Sequence, residues 1–261
     1  NDKLPALALV VAREFQMVPG LPALLSLGTT GSVAISGRSA SVYGLTRRLI
    51  LDLIIHHSPE DVNIAVLGDT HAAVENWGWL KWLPHTDSLS LDKRLYRLAF
   101  DPPKTDKYLE FLMAEYHARR SLVDNYSASK KLGNQPAIVV LVDDSGQVRQ
   151  HGDIHTLAKL GHEARIYLVF VGGRDWPREC RSRIDVLDEK NYKFTETWTK
   201  SGEHRTGSYE NASPSDCERV AKKLAGWEVA GSSSRVPLPE NIRISRVLGA
   251  DSLSVDSVKQ S

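Results

Sequence analysis

Apolar positions along this chain fall into two alternating forms: short unbroken runs, and longer stretches striped at helical spacing. Residues 32–36, 62–67, 136–142 and 166–171 are runs of the first kind. Continuous apolar character over so few residues is the pattern of parallel strands buried on both faces. The stretch 45–57 is of the second kind. It sets Val42, Leu45, Leu49 and Leu53 on one helical face with Ile50 and Ile54 beside them, and stops at Ser58-Pro59, where proline disfavours helix in the residue before it. Residues 70–77 and 155–161 read as short helices. Residues 105–131 read as a long helix or a broken pair, striped by Leu109, Leu112, Met113 and Tyr116. Strand and helix alternating over residues 32–171 predict an α/β fold, a mostly parallel sheet flanked by helices and joined by right-handed crossovers.

The flanks are less regular. Residues 21–27 read as a short strand, and 95–100 as an alternating strand closed by Asp101-Pro-Pro103. The apolar run at 6–11 fits helix or strand equally. Residues 183–209 alternate polar and apolar like edge strands or a small β-hairpin addition. Residues 213–227 predict a helix capped by Ser213 with Pro214 at its first position. The domain is expected to span 1–230, with 231–261 a linker toward a following module.

The candidate chemistry lies where the first run meets its helix. Laid on G-x-x-x-x-G-K-[ST], Gly37 matches the first glycine and the spacing is kept. The second glycine, the lysine and the hydroxyl residue are replaced by Val42, Tyr43 and Gly44. A P-loop uses lysine on the β/γ-phosphates, the hydroxyl on magnesium, and backbone N–H groups to cradle phosphate. The expected layout is therefore strand, turn of small residues, helix, with the phosphate chemistry removed. Gly37, Arg38, Ser39, Ser41, Tyr43 and Gly44 form a degenerate nucleotide site. Four apolar residues followed by Asp143-Asp144 fit a Walker B strand end, where a carboxylate helps hold Mg2+. This pair of remnants leaves weak binding of ATP or ADP with Mg2+ open, and argues against an active ATPase. Trp79 and Trp82, at i and i+3, share a helical face. They pack in the core or form a contact with another subdomain or subunit.

Composition narrows the class further. In 261 residues, 41% are hydrophobic and 25% charged, as in ordinary globular proteins, and the formal net charge of +1 gives no reason to expect nucleic-acid binding. Cys180 and Cys217 have no metal-ligand spacing and are expected to be reduced. No apolar run is long enough to span a bilayer, and membrane spans are expected outside this stretch.

Two stretches carry a family resemblance: His57-Ser-Pro-Glu-Asp-Val62, and Trp79-Leu-Lys-Trp-Leu-Pro-His85. With the pieces from Pro19 to Leu248-Gly249 in order around them, the chain resembles the FtsK/SpoIIIE-type type VII secretion ATPases EccC and EssC. The likeness is to the segment between their transmembrane helices and first true ATPase module. The resemblance implies a RecA-like (P-loop NTPase-like) fold with eroded motifs at the cytoplasmic face of the cell membrane. Its implied partners are adjacent FtsK/SpoIIIE modules of the same chain, membrane subunits of the secretion complex and other copies in a ring. The implied function is a non-catalytic or weakly nucleotide-binding module that couples membrane base to motor. An active NTPase domain and a nucleotide-free adaptor are the alternatives.

Overall fold

A computed structural model of the chain describes residues 23–86, 97–123, 132–143, 148–173, 177–180, 182–196 and 204–226. The runs at 6–11 and 231–261 lie outside these, as does Asp144. Eight strands form one sheet: β1 (Val33–Gly37), β2 (Val62–Gly68), β3 (Leu98–Ala99), β4 (Ala137–Asp143), β5 (Ile166–Val171), β6 (Ser182–Val186), β7 (Asn191–Glu196) and β8 (His204–Ser208). Their order is β3-β2-β4-β5-β1-β6-β7-β8. The six from β3 to β6 are parallel, while β7 and β8 add antiparallel, as the polar alternation at 183–209 predicts.

Among the described residues six α-helices accompany the sheet: α1 (Leu27–Thr30), α2 (Ser39–His56), α3 (His71–Trp77), α4 (Pro102–Val123), α5 (Gly152–Leu160) and α6 (Pro214–Leu224). Alternation of side chains along each strand splits the core into two layers. Val33, Ile35, Ile64, Val139 and Val169 face α2, α3 and α6. Ala34, Ala65, Val140, Leu168 and Phe170 face α4 and α5. Every residue of β4 is buried, the result expected for a central strand covered on both sides. The expected cap of α6 is present: the Asp216 amide donates to Ser213 Oγ at 3.1 Å, and Pro214 opens the helix.

Three boundaries differ from the sequence expectation. The strand expected over 21–27 is not formed by its described part, residues 23–27. The described part, from Ala23, is irregular until the single turn α1, where Ser26 O accepts from Thr29 N and Thr30 N. Among the described residues of 95–100, only Leu98–Ala99 pairs with β2. The prolines at 102 and 103 open α4 rather than closing a strand, since proline fits the first turn of a helix. Asp101 caps that turn by accepting from Lys104 N at 3.0 Å.

The two motif stretches meet in space. His85 Nε2 lies 2.8 Å from the His57 carbonyl oxygen at the end of α2. His85 is buried, and among the described residues its Nδ1 has no partner. Burial holds the imidazole below its ordinary pKa, so the folded state keeps it neutral where the unfolded chain, near 6.5, begins to protonate. The folded value is the lower one, so His85 adds stability above about pH 6.5 and loses it as pH falls through the folded value. Melting temperatures should therefore decline from pH 8 to pH 5 more steeply in the native chain than in His85→Gln. Equal slopes would show that His85 is not the group responsible.

Candidate functional site

The site is set by how β1 passes into α2. Only Gly37 and Arg38, both exposed, separate the body of the strand from a helix that begins at Ser39. The turn expected over 37–44 is thus a correction: residues 39–44 are already helical. Val42 N donates to Arg38 O at 2.9 Å, and the following amides continue the ladder. In a P-loop these amides point at phosphate instead. Gly37 makes the abrupt entry possible. Its φ is +143°, and a Cβ there would stand 2.6 Å from the Val186 carbonyl oxygen of β6.

Winding the loop into helix puts Tyr43 one turn inside α2, facing the carboxyl ends of the strands. Its hydroxyl donates to Asp143 Oδ1 at 3.0 Å. Trp77, fully buried at the end of α3, donates its indole N–H to Asp143 Oδ2 at 2.7 Å. The two rings meet edge to face, centroids 5.9 Å apart. Asp143 is buried, so both oxygens of this carboxylate are held by neutral donors from different helices. Burial, then the Asp143 charge and its hydrogen bond, push the Tyr43 phenol well above its ordinary value near 10. Tyr43 therefore stays protonated and remains a donor.

The surroundings of this pair are also occupied by side chains of the chain itself. Arg47, buried, donates Nε to Ala212 O and Nη1 to Asn76 Oδ1, each at 2.7 Å. Ser41 is buried in the first turns of α2. Gly44, where a P-loop has its magnesium-binding hydroxyl, abuts the segment leading into α6. A Cβ on it would lie 2.0 Å from Asn211 Oδ1. Arg149 closes the neighbouring strand end, donating to Val171 O at 2.8 Å and Gly172 O at 3.1 Å. This set lacks features that hold magnesium nucleotide in a P-loop: a tyrosine stands in the lysine position, the amides from Val42 onward are in helix bonds, and the Asp143 carboxylate is already engaged.

The glycine at 44 yields a test with a change of sign. Alanine is intrinsically better than glycine in a helix by about 1 kcal/mol. Gly44→Ala is nevertheless expected to destabilise by about 1–3 kcal/mol, because Asn211 must move and surrender its bond to Glu189 O. In an Asn211→Gly background the same change should stabilise. Denaturant unfolding of the four proteins in this cycle measures the reversal.

Of the residues singled out in the sequence, Tyr43 and Asp143 come together, Gly37 shapes the turn, and Arg38 stays at the surface. Trp79 is a core residue whose indole donates to Asn76 O at 2.9 Å. Trp82 is 40% exposed, with Lys81 and Lys222 over its ring. Trp77, Asn76 and Asn211 were not assigned to the site by sequence reasoning. Only the pairing of a buried tryptophan with a tyrosine in the lysine position could have pointed to the first of them.

The chain has a RecA-like fold in which the strand bearing the acid, β4, is separated from β1 by β5. No family model matches it. It is 25% identical over 230 residues to the ESX-1 secretion protein EccCa1 of Mycobacterium tuberculosis, covering 84% of this chain and 26% of that protein. The cytoplasmic domain of the Thermomonospora curvata type VII secretion ATPase EccC superposes with a TM-score of 0.57 at 14% identity, over 81% of this chain and 30% of that one. ATPases 2 and 3 of Geobacillus thermodenitrificans EssC give 0.56 at 14% identity, over 76% and 43%. In sequence the chain is similar to EccC proteins of type VII secretion, and in fold to the ATPase domains of EccC and EssC. The matched stretches cover between 5% and 26% of the length of those curated EccC proteins. Among its described residues no helix is long and apolar enough to cross a membrane.

Proposed function

We propose that this chain is a non-catalytic ATPase-like module of a type VII secretion motor, joining the membrane base to the modules that hydrolyse ATP. The observation carrying this reading is the Asp143 carboxylate, gripped by Tyr43 and Trp77 where an ATPase holds magnesium. A second support is the helix that takes up the amides from Val42 onward. An NTPase scaffold retained in this form supplies a rigid body with surfaces for neighbours, not a switch driven by its own nucleotide. Its partners on this reading are further ATPase modules of a longer protein, membrane subunits and other copies in a ring, at the cytoplasmic face of the membrane. EccC proteins several times longer than this chain supply the context.

Calorimetric titration of the whole chain with ATP or ADP and magnesium tests it, alongside a phosphate-release assay. The expected result is no saturable binding at millimolar nucleotide and no turnover. Tyr43→Lys should not restore either, because the helix and Asn211 remain in place. Micromolar affinity, or hydrolysis by the unaltered chain, would overturn the assignment.

A further inference from the structure

The sheet ends on one side in β8, and the register shows which of its backbone groups face outward. Asn191 stands opposite Ser208, Tyr192 opposite Gly207 and Phe194 opposite Arg205. Tyr209 N donates to Lys190 O at 2.7 Å in the next pair along. Hydrogen-bonded pairs alternate along an antiparallel ladder, so Gly207 and Arg205 also turn their N–H and C=O toward β7. His204, Thr206 and Ser208 turn theirs away. Among the described residues no strand pairs with that side.

Beside this edge, between α2 and the overhanging β6–β8 sheet, runs a groove of about 480 Å3. Ile184, Phe194 and Arg205 lie opposite one another on adjacent strands and form its floor. Leu45 and Leu49 of α2 form one wall, and Leu24, 85% exposed, stands at its rim. The cations of the groove differ. Arg48 is engaged by Asp52 at 3.3 Å and Glu210 at 3.7 Å. Arg205 is exposed and forms no ion pair among the described residues.

We propose that β8 and this groove together receive an extended, acid-bearing peptide segment of another protein. The segment pairs with the outward groups of His204, Thr206 and Ser208 and adds a ninth strand. Its alternate side chains then fall on the groove side, where apolar residues cover Leu45, Leu49 and Phe194. A carboxylate two residues away in the same alternation meets Arg205. Strand addition is the occupancy that satisfies both features: main-chain bonds to the edge hold the segment, and the pockets select its side chains. A helix in the groove would leave the edge unpaired, and a neutral segment would leave Arg205 facing apolar surface.

A random twelve-residue peptide library displayed on phage, selected against the whole chain, tests this. Enriched sequences should carry apolar residues at i and i+2 with Asp or Glu at i−2 or i+4. Synthetic copies should bind at least tenfold more weakly to Thr206→Pro. That change removes an outward N–H but no bond to β7, because proline is tolerated where an edge strand faces solvent. Arg205→Glu should weaken the acidic peptides by a similar factor and favour basic ones, which keeps the test decisive if Thr206→Pro fails to fold. Unchanged unfolding midpoints verify the variants. No enrichment of alternating sequences, or peptides that bind Arg205→Glu as well as the parent, would overturn the proposal.

Discussion

Asp143→Ala is expected to destabilise the chain by about 3–5 kcal/mol, the largest single effect at the carboxyl ends of the central strands. The substitution strands two donors at once. Trp77 Nε1 has no exposure to water, and the Tyr43 hydroxyl loses the charge it leans on. An unsatisfied buried donor costs about 1–3 kcal/mol, and a bond to a charged group contributes about 1.5–3 kcal/mol. Asp143→Asn keeps one acceptor and should fall between the native chain and the alanine variant. Tyr43→Phe leaves the Trp77 bond in place and should cost about 1–2 kcal/mol. Urea unfolding of the three variants checks the ordering. If the carboxylate were an idle remnant at a solvated strand end, its removal would change stability by less than about 0.5 kcal/mol.

Gly37→Ala should cost roughly 2–4 kcal/mol. Two independent penalties act at this position. Backbone at φ +143° is a conformation that L side chains rarely adopt, and the added Cβ would stand 2.6 Å from Val186 O and 2.9 Å from Val186 Cβ. The carbonyl cannot retreat easily, because Gly37 and Val186 close the parallel pairing of β1 with β6. The loss should appear as a lower unfolding midpoint with an unchanged denaturant slope, since the native fold is the same and only weaker. A second change that relaxes surface contacts, such as Arg38→Ala, should not rescue it. Recovery by Arg38→Ala would place the strain in the loop side chains instead.

Much of the frame was legible in the sequence because burial on both faces leaves a plain signature. The apolar runs at 62–67, 136–142 and 166–171 became β2, β4 and β5, and the stripe of Val42, Leu45 and Ile50 became the buried face of α2. Capping chemistry was equally readable at Ser213-Pro214. Where the reading failed, the deciding interaction lay far away in sequence. A motif template assigns residues 37–44 to a loop by analogy, yet nothing local forbids Ser39-Ala-Ser-Val-Tyr from being helix once no phosphate needs their amides. That outcome depends on Asp143, 100 residues distant, and on Asn211 lying against Gly44. The short run at 21–27 could not be resolved by periodicity, and the prolines at 102 and 103 serve a helix start as readily as a strand end. The contact of His85 with the end of α2 ties together two stretches whose sequence pattern carries no sign of their meeting.

Amide hydrogen exchange at residues 42–44, read with and without millimolar magnesium ATP, probes the conversion of phosphate loop to helix most directly. Amides locked in the α2 ladder should exchange slowly in the free chain, at rates close to those of Ile50 and Leu51, and nucleotide should leave them unchanged. Rapid exchange in the free chain that slows when nucleotide is added would mean that these amides still serve phosphate, and that the site is open.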